Sequence, residues 1–128
     1  MTNKKNYYLN DYFDLFNPNN TKEKEVMKTD IYEENNNYII ESDLPGISKE
    51  NIKINYENGY LTIIAKTKEL KVNTFIRREK YYGEFKRSFY IGFKKEDNIK
   101  ANFQNGILTI TFPKEDIPKK EAKNIIVS

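Results

Sequence analysis

The chain has no cysteine and no histidine. Without cysteine, disulfides, thiolate zinc clusters and thiol catalysis are excluded. Without histidine, the commonest general base and the commonest metal ligand are gone. A hydrolase would then rest on carboxylate pairs or a Ser-Lys arrangement. The acidic residues are instead scattered over expected strand ends and loops, where solvation alone places them. No catalytic residue, metal site or cofactor is therefore expected. Long apolar runs are missing too, and Met1-Thr2-Asn3-Lys4-Lys5 leads into Asn and Tyr, not an apolar signal core. The expectation is a cytoplasmic protein with no membrane partner. Charge of one sign is equally scarce: net +3 arises from 22 basic and 19 acidic residues, with lysines beside glutamates along the whole length. That balance argues against a nucleic-acid partner.

What is present points to strands. Ile, Leu, Val and Phe make up about a quarter of the 128 residues, enough for one modest core. The mean hydropathy of −0.85 is low for that length, so some apolar surface is expected to be buried between subunits. Ile and Tyr far outnumber Leu and Ala, a β-leaning balance. One phrase occurs twice: Asn55-Tyr56-Glu57-Asn58-Gly59-Tyr60-Leu61-Thr62-Ile63 and Asn102-Phe103-Gln104-Asn105-Gly106-Ile107-Leu108-Thr109-Ile110. Asn-Gly between alternating runs predicts a tight hairpin, because both central residues must accept positive φ. Two copies suggest a sheet protein whose halves are built alike.

Alternation fills in the rest. Lys28 to Glu33 reads as a first strand, and Asn35-Asn36-Asn37 as a turn. Tyr38, Ile40, Ser42 and Leu44 share one face of the next strand. Pro45-Gly46 ends it, since proline lacks a ladder donor and glycine permits the bend. Ser48 to Asn51 is a brief turn. Ile52, Ile54 and Tyr56 lead into the first Asn-Gly, and Leu61, Ile63 and Ala65 return. Phe85, Arg87, Phe89 and Ile91 line one face after Gly83. Ile99, Ala101 and Phe103 lead into the second Asn-Gly, and Leu108, Ile110 and Phe112 return before Pro113 ends the sheet.

Three segments stand apart. In residues 1–26, Leu9, Tyr12, Phe13 and Phe16 make the stripe of a short amphipathic helix, and Tyr7 and Tyr8 add to the aromatic crowd. Either this helix packs on the domain's own core, or it is an arm that packs on other subunits or proteins; the polar spacer after it favours an arm, partly helical or disordered. Lys66 to Tyr82 is too long for a hairpin connection and has an apolar middle, Val72, Phe75 and Ile76. Such an excursion needs somewhere to dock. Residues 114–128 are hydrophilic until Ile125-Ile126-Val127. In an extended chain Ile125 and Val127 point the same way, like a plug for a groove; the alternative is that they close the domain's own sheet.

These residues resemble the small heat shock proteins, the family with an α-crystallin domain, in its bacterial and plant form. Asp43-Leu44-Pro45-Gly46 resembles the family's corner. Gly83-Glu84-Phe85-Lys86-Arg87-Ser88-Phe89 is similar to its G-x-F-x-R-x-F segment. The run from Ala101 through Asn105-Gly106-Ile107-Leu108 to Pro113 resembles its A-x-x-x-n-G-v-L signature, and Ile125-Ile126-Val127 its C-terminal I-x-I/V motif. The resemblance implies an immunoglobulin-like β-sandwich over residues 27–113, flanked by the arm (1–26) and a C-terminal extension (114–128). It implies an ATP-independent holdase that binds partly unfolded clients, and the absence of a P-loop motif agrees with having no nucleotide partner.

The site residues follow from that resemblance. A strand in the long loop, here Phe75, Ile76, Arg77, Arg78 and Glu79, swaps into the partner's sheet and makes a dimer. Arg87 is placed at the same interface; the plainer alternative is an arginine whose head reaches solvent. Dimers assemble into a homo-oligomer when Ile125 and Val127 dock between Ile52, Ile54 and Tyr56 on one strand and Ile99, Ala101 and Phe103 on another. Tyr7, Tyr8, Leu9, Tyr12, Phe13 and Phe16 are the expected client surface. Two features depart from the family: the arm is short, and only Ser128 follows Val127. The main rival is a co-chaperone of the CS-domain type, which shares the sandwich but lacks the swapped strand and the I-x-V tail. A ligand-binding sandwich would need aromatic platforms on one face, and none is evident.

Overall fold

The computed structural model describes residues 27–68, 70–80, 82–118 and 125–127. The residues expected to form the aromatic arm and to bind clients, Tyr7 to Phe16, lie outside the described residues. β1 (Thr29–Glu34) and β2 (Asn37–Asp43) form the first hairpin. Its turn residues Asn35 and Asn36 both take positive φ, 51° and 67°, as a two-residue turn matching strand twist requires. A short 3-10 turn (Lys49–Asn51) leads to β3 (Ile52–Glu57) and β4 (Tyr60–Thr67). Beyond the long loop come β5 (Gly83–Tyr90), a second 3-10 turn (Glu96–Asn98), β6 (Lys100–Gln104) and β7 (Ile107–Pro113).

The strands sort into two antiparallel sheets, ordered β1-β2-β7-β6 and β3-β4-β5. Each sheet receives one copy of the repeated hairpin. The turns are near-identical: Asn58 and Gly59 at φ 52° and 84°, Asn105 and Gly106 at 53° and 77°. Glu57 pairs with Tyr60 and Gln104 with Ile107, so both turns have two residues. In both copies the first strand is a sheet edge and the second lies inside. The likeness of the two halves stops there, because β1 and β2 extend only the β6-β7 sheet and β5 only the β3-β4 sheet.

Period-two alternation fills the space between the sheets. Tyr38, Ile40 and Ser42 of β2, Leu61, Ile63 and Ala65 of β4, Phe85, Arg87 and Phe89 of β5, and Leu108, Ile110 and Phe112 of β7 are all buried. Fully burying one such apolar side chain contributes about 1.5–3 kcal/mol before entropy is counted. The buried Ser42 hydroxyl meets Thr29 Oγ1 at 2.8 Å, which satisfies it. At the Leu44-Pro45-Gly46 corner the Leu44 N–H donates to the Gly106 carbonyl at 2.7 Å. The corner is thereby tied to the second hairpin's turn. Among the described residues no helix is long and apolar enough to cross a membrane.

Candidate functional site

The expected groove residues sit on β3 and on β6 with the residue before it, the edge strands of opposite sheets. Ile52, Ile54, Tyr56, Ile99 and Phe103 face inward and are half-buried against the core. They stay half-exposed because no further strand covers them. Ala101 shares the inward face of Ile99 and Phe103, yet it is exposed. A small residue between two large ones leaves a notch there. Ile125 and Val127 are 88% and 92% exposed, so the tail does not close this chain's own sheet.

The long loop has the same character. Among its described residues none is in a strand, so the strand-like centre read from the sequence is not formed in the single chain. Ile76 is fully exposed, and Leu70 and Val72 are about half exposed. The Arg78 guanidinium lies 4.8 Å from the Phe75 ring centre and 4.9 Å from that of Tyr82. The Arg77–Glu79 pair, at 3.6 Å, is open to water and adds little. Between the loop and the sandwich lies an open cavity of about 590 Å³, bordered by Pro45, Ile47, Leu70, Lys80, Tyr82 and Phe85.

Residues 30–128 match the profile of the Hsp20/alpha crystallin family. The chain belongs to that family. It is 39% identical over 127 residues to a probable Hsp20 family chaperone of the onion yellows phytoplasma, covering 96% of this chain and 90% of the other. It is 38% identical over 122 residues to the heat shock protein HSP.16.4 of Streptococcus thermophilus, covering 90% and 84%. Among solved structures, a small heat-shock protein from Xylella fastidiosa, with a distinct high-order structure, superposes with a TM-score of 0.62. The match is 29% identical and covers 80% of this chain and 97% of that one. The sandwich is therefore the α-crystallin domain of a small heat shock protein.

Within that domain, Arg87 does not reach solvent as the plainer alternative expected. It is only 7% exposed. One guanidinium nitrogen (Nη1) donates to the Met27 carbonyl at 2.9 Å, and the head lies 5.1 Å from the Phe89 ring centre. A charge-assisted bond to a carbonyl, with an aromatic face alongside, offsets the cost of burying this cation.

Sequence reasoning missed a second buried cation. Lys94 lies just after Gly92-Phe93, and its side chain is 1% exposed. It donates from Nζ to the Lys114 carbonyl at 3.1 Å and to Asp116 at 2.5 Å. Tyr56, singled out only as a groove residue, also does polar work: its O–H donates to the Gly92 carbonyl and its oxygen accepts the Lys94 N–H, both at 2.7 Å. Nothing local in the sequence marks Lys94, since any surface lysine looks the same. Nearby, burial first and the Glu33 and Asp116 carboxylates second push the Tyr38 phenol up to about 12. The exposed Tyr32 phenol is also raised, chiefly by the bond it donates to Glu41 at 2.7 Å.

Proposed function

We propose that this protein is an ATP-independent holdase that captures partly unfolded proteins and keeps them from aggregating. The observation that carries this is an imbalance within one small heat shock protein chain. Its sandwich core is closed, while Ile76, Ile125 and Val127 stand almost wholly in water and Phe75, beside the Arg78 guanidinium, is more than a third exposed. Apolar groups held at the end of hydrophilic tethers suit contacts that form, break and form again. The loop segment from Phe75 to Glu79 joins a partner's sheet and makes the dimer, with Arg87 close to that interface. Ile125 and Val127 dock between β3 and β6 of a neighbouring dimer, with the notch at Ala101 taking one side chain. Burying two aliphatic side chains gives about 3–6 kcal/mol gross. Tethering costs reduce that, so each contact exchanges readily.

Clients bind to the aromatic arm, with the vacated groove contributing. The charged remainder of the surface keeps loaded complexes in solution. The protein acts in the cytoplasm, without a nucleotide, metal or cofactor, and catalyses no reaction. Nothing in the family match or the fold favours a co-chaperone of the CS-domain type. The test is turbidity of a heat-labile model enzyme warmed with increasing amounts of the protein and no ATP. Aggregation should fall in proportion to added protein and vanish near one chain per client. Aggregation unchanged from that with an inert protein, or suppressed only with ATP, would overturn the proposal.

A further inference from the structure

The segment after β7 is held at several points before it becomes a tail. The Lys114 N–H donates to the Asn36 carbonyl at 3.1 Å, and Lys114 Nζ reaches Glu33 Oε2 at 2.9 Å. Lys94 Nζ holds both the Lys114 carbonyl and Asp116, and the Ile117 N–H donates to the Phe93 carbonyl at 2.7 Å. Lys94 Nζ also lies 5.7 Å from the Phe112 ring centre. A cation this buried needs its partners, so its contacts with Lys114 and Asp116 are not incidental. Gly92 makes room for them: a Cβ there would come within 2.6 Å of Asp116 Oδ1.

We propose that these contacts form a clasp that sets the length of the leash carrying Ile125 and Val127. The inference rests on the tail-docking proposal above. With the clasp closed, the leash starts at Pro118 and spans seven peptide steps to Ile125, about 25 Å when extended. With it open, the leash starts at Pro113 and spans twelve steps, about 40 Å. Effective concentration falls roughly as the −3/2 power of leash length, so opening weakens each tail contact about twofold. It also brings more distant grooves within reach. A closed clasp thus favours a narrow range of assemblies, and an open one favours exchange and a broader range. Tyr56 couples the two ends of the device. Its phenol is bonded to Gly92 and Lys94, while its ring lies on the groove strand. A plug that shifts Tyr56 pulls on the clasp of the receiving chain.

The test compares Lys94→Met and Asp116→Ala with the unaltered chain, and with Lys66→Met as a control. Lys66 pairs with Glu84 at 3.7 Å, both side chains are more than half exposed, and neither residue takes part in the contacts of the clasp. Subunit exchange is followed by native mass spectrometry of mixed ¹⁴N and ¹⁵N assemblies. Hydrogen exchange of the Ile117 amide is measured alongside, including in the Ile125→Gly/Val127→Gly chain. Both clasp variants should exchange subunits at least about twofold faster, broaden the mass distribution and lose Ile117 protection, while the control does none of these. Asp116→Ala leaves the buried Lys94 ammonium without its carboxylate, whereas Lys94→Met removes the charge itself, so Lys94→Met keeps the domain folded even where Asp116→Ala does not. Exchange at the unaltered rate in both clasp variants, or an unprotected Ile117 amide in the unaltered chain, would overturn the clasp alone. Assemblies indifferent to Ile125→Gly/Val127→Gly, with Ile117 still protected, would overturn tail docking first and the leash with it.

Discussion

Ile63 and Ile110 are wholly buried, whereas Ile76 and Ile125 stand almost wholly in water. The same side chain serves opposite ends in the sandwich and in the two segments that leave it. Inside, alternation along hydrogen-bonded strands fixes each isoleucine against neighbours of its own chain. Outside, both isoleucines stand exposed, and under the proposed function a second copy covers them. Under the proposed function, that contrast separates the residues that stabilise the fold from those that stabilise the assembly.

The contrast is broken most forcefully at its buried end. Ile63→Ala or Ile110→Ala should cost the domain about 2–5 kcal/mol, read as a lowered denaturation midpoint in urea. Ile76→Ala should leave the unfolding of an isolated domain within about 0.5 kcal/mol of the parent, while weakening the dimer in sedimentation. Equal losses of domain stability at Ile63 and Ile76 would mean that the loop packs on its own sandwich.

The twin hairpins sharpen the comparison, since their turns match in φ but not in surroundings. At Gly59 an added Cβ would meet the Tyr90 ring at 2.7 Å and the Gly92 carbonyl at 3.3 Å; at Gly106 the nearest atom is Pro45 Cα at 3.5 Å. Both positions carry the left-handed strain of about 1–2 kcal/mol for a non-glycine residue. Gly59→Ala should therefore lower the thermal midpoint more than Gly106→Ala. A larger loss at Gly106 would contradict the packing described around Tyr90.

The smallest effect concerns pH. Tyr38 has a phenol raised from 10.0 to about 12 in the folded chain. The folded state thus favours the neutral phenol more than the unfolded state does. Its contribution is complete below pH 10 and is lost as pH rises through about 12. Tyr38→Phe should flatten the fall in denaturation midpoint over that window. An unchanged slope would place the alkaline sensitivity elsewhere.

Much of this was legible in the sequence because it is local. Asn-Gly pairs set the two hairpins and alternation set the buried faces; β3 and β6, the strands leading into those hairpins, are sheet edges. Three things were not legible, each for a physical reason. Arg87 meets a carbonyl sixty residues away, and no local pattern records such a partner. Lys94 is buried by residues twenty or more positions downstream, while its sequence neighbours look solvated. The loop from Lys68 to Tyr82 carries strand-like residues, yet none of its described residues is in a strand; under the proposed function another copy supplies the hydrogen-bonding edge.

The most direct test of that separation is solution mass by light scattering, for the unaltered chain and for Ile125→Gly/Val127→Gly. The unaltered chain should form a large assembly and the variant should fall to dimers with an unchanged domain unfolding midpoint. A monomeric unaltered chain, or a variant assembly of undiminished mass, would contradict it.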